Sequence, residues 1–187
     1  MQALPPLETL GKRIMVLGLT NSGKSTLAQA LSVRLDIPAV HLDQLRHLPG
    51  TNWQERPDDD FAALHDAAIA MPAWVMDGSY SKVMPQRVAR ATGILVLTDN
   101  LLTRYRRYIV RTLFQKQRAG GLEGGADRLN WKMLHWLWHT RHSIGKYRQV
   151  AAHSGLPHVF VSSKAELDRL YAQWGLSRPW RGPGQAK

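Results

Sequence analysis

Eight consecutive residues, Gly18-Leu19-Thr20-Asn21-Ser22-Gly23-Lys24-Ser25, have the types and spacing needed to enclose a polyphosphate. Glycines near both ends of such a run let backbone N–H groups turn inward around an anion. A lysine then reaches the terminal phosphates, and the following hydroxyl can ligate magnesium. Gly18, Asn21, Ser22, Gly23, Lys24, Ser25 and Thr26 are the candidate phosphate-cradling residues. Lys24 is placed to neutralise a transferring phosphate and Ser25 to hold Mg2+. Phosphoryl transfer rests on such positioning and electrostatics more than on covalent chemistry.

A phosphate loop works only if a strand leads in and a helix leads out, because the helix N-terminus adds its own unpaired N–H groups and dipole. Residues 13–18 read as a buried strand, and Leu27, Leu31 and Leu35 recur on one helical face. Further apolar runs at 38–42, 74–78 and 93–99 each run up to an aspartate, Asp43, Asp77 and Asp99, and a fifth strand is expected in "PHVFVS". "DDDFAALHDAAIA" has the acidic start of a helix, and "KAELDRLYAQWG" reads as a helix stopped by glycine. Strands alternating with helices predict an α/β fold: a five-stranded, mostly parallel sheet flanked by helices. Ligands of such sheets sit outside the carboxyl ends of the strands, where the three aspartates fall.

The 187 residues suit one domain, expected over 1–176, with the Pro- and Gly-containing tail 177–187 expected to be disordered. No cysteine is present, so there is neither a disulfide framework nor a thiolate metal site, which suits a reducing, cytoplasmic setting. No segment reads as a signal peptide or membrane span. The net charge of +11 is unevenly placed. Residues 1–99 carry nine Lys+Arg against ten Asp+Glu, residues 100–165 twelve against two, and residues 166–187 four against two. The basic segment holds two expected helices, 101–118 and 128–151, joined by the glycine-rich "AGGLEGGA". This arrangement predicts a hinged, basic lid over about 101–152. Such charge can grip nucleotide phosphates or bind nucleic acid nonspecifically, and charge alone does not choose between them.

The phosphate loop, "HLDQL", "WVMDGSYSKVMPQRVARATGILVLTD", "RYIVR" and "WKMLHWLWHTR" together resemble the topology modulation protein family, among the adenylate-kinase-like P-loop proteins, from about Lys12 to Gly175. The resemblance implies a P-loop NTPase fold of the nucleoside monophosphate kinase type, with ATP and Mg2+ as cofactors. One departure is Asn21, where the family's loop usually has a further glycine; asparagine tolerates left-handed backbone better than most residues, so the loop is expected to form.

By that resemblance, Asp77 acts at the magnesium and lies near the acceptor; its alternative is a plain Asp-Gly turn. Asp43 resembles an acid of shikimate and gluconate kinases that contacts the acceptor or orients its hydroxyl. It is a candidate general base, with a helix cap as the alternative. Arg87, and behind it Arg90, resemble arginines that hold an acceptor phosphate, and Arg107 and Arg111, four apart on one helical face, resemble lid arginines that assist catalysis. Ser162 to Ala165 would touch the adenine. Asp99 reads as a helix cap, and Trp53 as either a pocket wall or core. Trp131, Leu134 and Trp138 show core spacing, while Arg104, Arg106, Lys116 and Arg118 read as solvated. His135, His139 and His142 form a plain helical face rather than a metal site.

The favoured expectation is a phosphotransferase moving the γ-phosphate of ATP to a small acceptor, a nucleotide or nucleoside. The alternative is an ATP-gated protein associated with nucleic acid, as the family name suggests. A nucleotide hydrolase or sensor is less favoured, because no glutamate stands beside Asp77 to activate water.

Overall fold

The computed structural model describes residues 4–51, 53–114, 135, 138, 139 and 143–178, with the backbone alone at 107 and 110–114. Strands β1 (Arg13–Gly18), β2 (Ala39–His41), β3 (Trp74–Asp77), β4 (Gly93–Leu97) and β5 (His158–Val161) form one sheet in the order β2-β3-β1-β4-β5. Every pairing is parallel, so the expected mostly parallel sheet is wholly so. The helices are α1 (Lys24–Leu35), α2 (Leu42–Arg46), α3 (Asp58–Ala70), α4 (Met84–Arg90), α5 (Leu101–Phe114), α6 (Ile144–His153) and α7 (Lys164–Gln173). Among the described residues no helix is long and apolar enough to cross a membrane.

The strands are continuous apolar runs because both faces of the sheet are covered. Ile14, Val16, Val75, Leu95 and Leu97 pack with Leu27 and Leu31 of α1 and Leu167 and Leu170 of α7. The alternate residues Met15, Leu17, Met76, Ile94 and Val96 face the other way, onto Phe61 and Ile69 of α3, Met84 of α4 and Ala151 of α6. Termination is equally local. Gly175 adopts φ 60° after α7, and the Leu176 N–H reaches back to the Tyr171 carbonyl at 2.8 Å, the hydrogen bond of a glycine-stopped helix.

The aspartate before α5 does not cap it. The Thr103 N–H is accepted by the Asn100 side chain at 2.7 Å, whereas the Asp99 carboxylate accepts the Asn100 N–H at 2.9 Å. Trp138, expected in the core, is 50% exposed. Trp131, Leu134, His142, Lys116, Arg118, the glycine-rich joint and residues 179–187 lie outside the described residues.

Between α3 and α4 the sheet's second face covers a histidine. His65 is 0% exposed, its Nδ1 lies 3.2 Å from Asp66 Oδ1, and its Nε2 is buried with no hydrogen-bond partner. Burial holds its pKa below the ordinary 6.5, the charge of Arg87 adds to that, and Asp66 opposes it. A depressed folded-state value means that the unfolded chain takes up a proton first as pH falls. The contribution of His65 is therefore complete above about 6.5 and lost below it, with a slope of at most about 1.4 kcal/mol per pH unit. Urea unfolding of the wild type and of His65→Leu at pH 7.5, 6.5 and 5.5 is expected to show a shallower pH slope in the variant. Equal slopes would remove His65 as a source of acid sensitivity.

Candidate active site

The phosphate loop is shaped by a close approach of backbones. Gly18 ends β1 with φ 139°, and a Cβ there would lie 1.9 Å from the Leu97 carbonyl oxygen of β4, so only glycine fits. Asn21 (φ 63°) and Gly23 (φ 95°) are both left-handed, and α1 starts directly after Gly23. A left-handed residue followed by helical ones turns successive amides to one side and makes an anion-binding concavity. Asparagine thus occupies the conformation for which the sequence suited it. Lys24 Nζ donates to the Leu19 carbonyl at 2.8 Å, which holds the ammonium over the loop.

Beside the loop, β2 and β3 end at one level, while β1 runs two residues further to Gly18. Val16 of β1 and His41 of β2 both lie in register with Asp77 of β3. In-register residues of neighbouring strands point to the same face, here the face covered by α1. As a result Ser25, in the first turn of α1, donates its hydroxyl to Asp77 Oδ2 at 2.6 Å, while His41 Nδ1 lies 2.5 Å from Asp77 Oδ1. Asp77 and His41 are both buried. A hydroxyl and a carboxylate that meet at a helix N-terminus form a hard-oxygen donor set suited to Mg2+.

A second carboxylate of the expected site stands at the start of α2. Asp43 occupies the second position of α2, is exposed, and makes no cap; its Oδ1 accepts the Tyr80 hydroxyl at 2.7 Å. Burial, and then the charge of Asp43, push the Tyr80 hydroxyl far above its ordinary value, so it remains a donor. The Tyr80 ring rests 5.2 Å from that of Phe61, which Arg46 covers from 5.4 Å. Arg46 in turn bridges Glu55 at 2.5 Å and Asp58 at 2.6 Å, bracing the segment after α2. Within that segment Trp53 is half-buried, with its ring 5.2 Å from His47, and is not a core residue.

The arginines divide differently from the sequence expectation. Arg87, expected to hold an acceptor phosphate, is 0% exposed. Its Nη1 donates to the Gly78 carbonyl at 2.8 Å and its Nη2 to the Tyr80 carbonyl at 3.1 Å, so the guanidinium braces the turn after β3. Burial lowers its pKa to about 10 against the opposing pull of Asp77. Arg90 likewise turns away, onto the Ile69 carbonyl at 3.3 Å.

Arg104, expected in solvent, is 1% exposed and donates from Nε to the Thr20 carbonyl at 2.9 Å, which pins α5 to the phosphate loop. Sequence pattern could not flag it among five neighbouring cations; its position one turn into a helix that starts at the β4 end was the available signal. Arg107 and Arg111 lie on α5 three and seven residues beyond Arg104, and their side chains are outside the described residues. Ser162 accepts Arg148 Nη2 at 2.9 Å, and Ser163 caps α7 by accepting the Glu166 N–H at 3.1 Å. The imidazoles of His135 and His139 meet at 3.0 Å on the surface, and the described residues contain no group of three or more potential metal ligands.

No protein-family model and no curated protein matches the sequence. Among solved structures, the shikimate kinase of Bacteroides thetaiotaomicron aligns with a TM-score of 0.54 at 15% identity, covering 88% of this chain and 99% of that one. The shikimate kinase of Acinetobacter baumannii in complex with shikimate aligns with a TM-score of 0.50 at 14% identity, covering 90% and 96%. At this identity the likeness shows a P-loop kinase fold and does not reach the narrower topology modulation resemblance.

Arg87 supplies a direct check of the site's boundary. Arg87→Lys is expected to lower stability by about 1–3 kcal/mol in urea unfolding, because buried carbonyls lose a bidentate donor. A surface phosphate ligand would leave stability within about 0.5 kcal/mol of wild type.

Proposed function

We propose that this chain is an ATP-dependent kinase that transfers the γ-phosphoryl group to a hydroxyl of a small acceptor. The observation that carries the reading is the tie between Ser25 and Asp77 at the loop that also holds Lys24; Asp43, paired with Tyr80, is assigned to the acceptor. The loop amides and Lys24 would hold the phosphates of ATP, and Ser25 and Asp77 would hold Mg2+. When bound, that ion neutralises the charge developing on the transferring phosphoryl group. The acceptor oxygen attacks the γ-phosphorus, the bond to the β–γ bridging oxygen breaks, ADP leaves, and the acceptor's proton passes to Asp43. Tyr80, kept protonated, orients the Asp43 carboxylate for that task. Arg107 and Arg111 are assigned to the polyphosphate from α5, which Arg104 anchors to the loop.

The acceptor chemistry follows from what is available. With Arg87 and Arg90 committed to backbone carbonyls, a nucleoside or another hydroxylated metabolite fits better than a nucleoside monophosphate needing an arginine clamp. Nucleotide-gated binding of nucleic acid rests on the basic excess in residues 100–165 and on the name of the family the sequence resembles.

Magnesium-ATP turnover, measured with pools of nucleosides, nucleoside monophosphates, sugars and hydroxy acids, and short oligonucleotides, is expected to be stimulated by one hydroxyl-bearing small-molecule pool and abolished in Lys24→Ala. Asp43→Asn is expected to lower kcat by about 10²–10⁴-fold while ATP affinity stays near wild type. Stimulation by nucleoside monophosphates would restore a phosphate-bearing acceptor. Slow turnover insensitive to every small-molecule pool would point to the nucleic-acid reading.

A further inference from the structure

Asp77 is held from two sides, and only one of them belongs to the phosphate loop. Its Oδ2 accepts the Ser25 hydroxyl at 2.6 Å, and its Oδ1 lies 2.5 Å from Nδ1 of His41, on the edge strand β2. A carboxylate is an acceptor only, so Nδ1 carries the proton in this contact. The contact is set by the sheet: His41 and Asp77 are in-register partners across β2 and β3. Both side chains are nearly excluded from water, at 8% and 7% exposure.

An aspartate carboxylate held through one oxygen alone can turn about its Cβ–Cγ bond and swing the other oxygen. Mg2+ demands near-ideal octahedral geometry and tolerates such displacement poorly. Groups that bond the far side of a metal ligand commonly contribute ten- to a hundredfold in metal affinity.

We infer that His41 is a positioning residue for the metal carboxylate, its Nδ1–H fixing the Asp77 plane so that Oδ2, beside Ser25, faces the metal–nucleotide. The inference rests on the assignment of Ser25 and Asp77 to Mg2+. It assigns a function to a residue whose place before Leu42-Asp43 otherwise reads as the end of a strand. The geometry also defines the substitute. Asparagine places an amide N–H where the imidazole places Nδ1–H, leucine fills similar space with no donor, and glutamine carries its amide one methylene too far.

The test uses full-length protein with ADP and Mn2+ as the metal probe, reading free Mn2+ by electron paramagnetic resonance, with thermal unfolding run in parallel. His41→Leu is expected to raise the Mn2+ dissociation constant of the ADP complex about tenfold or more. His41→Asn should stay within about threefold of wild type, and ADP binding in EDTA should not change. Should His41→Leu fail to fold, His41→Gln takes its place with the same expected direction. Mn2+ affinity unchanged in the donor-less variant, while Asp77→Asn weakens it, would overturn the positioning role alone. Unchanged affinity in Asp77→Asn as well would overturn the metal assignment and the inference with it. A loss of thermal stability with no change in Mn2+ affinity would reduce His41 to a structural residue.

Discussion

The Ser25–Asp77 hydrogen bond ties the first turn of α1 to the end of β3, and the arrangement of the site follows from that tie. The phosphate loop leaves the sheet at β1 and returns into α1, so the helix direction is set by where α1 meets a neighbouring strand. Asp77 is that point, because β3 lies next to β1 and its last residue is in register with Val16. The same register brings His41 to the other carboxylate oxygen. Three segments remote in sequence thus converge through backbone hydrogen bonding of parallel strands, which sets relative heights to within one residue.

Two buried arginines support this arrangement from outside. Arg87 braces the Gly78–Tyr80 turn, which carries Tyr80 to Asp43, and Arg104 braces the loop through the Thr20 carbonyl. Both spend guanidinium donors on backbone oxygens that would otherwise lack partners near the site, a demand that buried carbonyls impose generally. The charge excess of residues 100–165 is accordingly not all surface: Arg104 is internal, while Arg148 lies over the Phe160 ring and reaches Ser162 at the sheet's far edge.

Much of the architecture was legible because it depends on short-range patterns. The apolar runs at 13–18, 74–78 and 93–99 read as buried strands, and the acidic start at Asp58 and the stop at Gly175 mark helix ends through local dipole and backbone effects. The phosphate loop was legible residue by residue, since Gly18, Asn21 and Gly23 are needed for conformations that few other residues adopt. The short helix α2 and the bridge between His47 and Glu55 were not, because they are held by the ion pairs of Arg46 with Glu55 and Asp58, contacts between segments.

The arginines show where sequence reading stops. Arg87, Arg104 and Arg106 are the same residue type in similarly basic, helical contexts; two are internal struts and Arg106 is exposed. Helical spacing locates a side chain around its own axis and says nothing of which carbonyl lies opposite once helices pack on the sheet. By itself, then, the sequence determined the phosphate loop, the strand and helix alternation and the placing of Asp77 at the end of β3, all consequences of local conformational preference and burial period, whereas Asp43, expected to end β2, is the second residue of α2. The tertiary structure alone decided that Asp77 is shared between Ser25 and His41, that Asp43 is paired with Tyr80, and that Arg87 faces inward, because each depends on strand order and register, which no local pattern encodes.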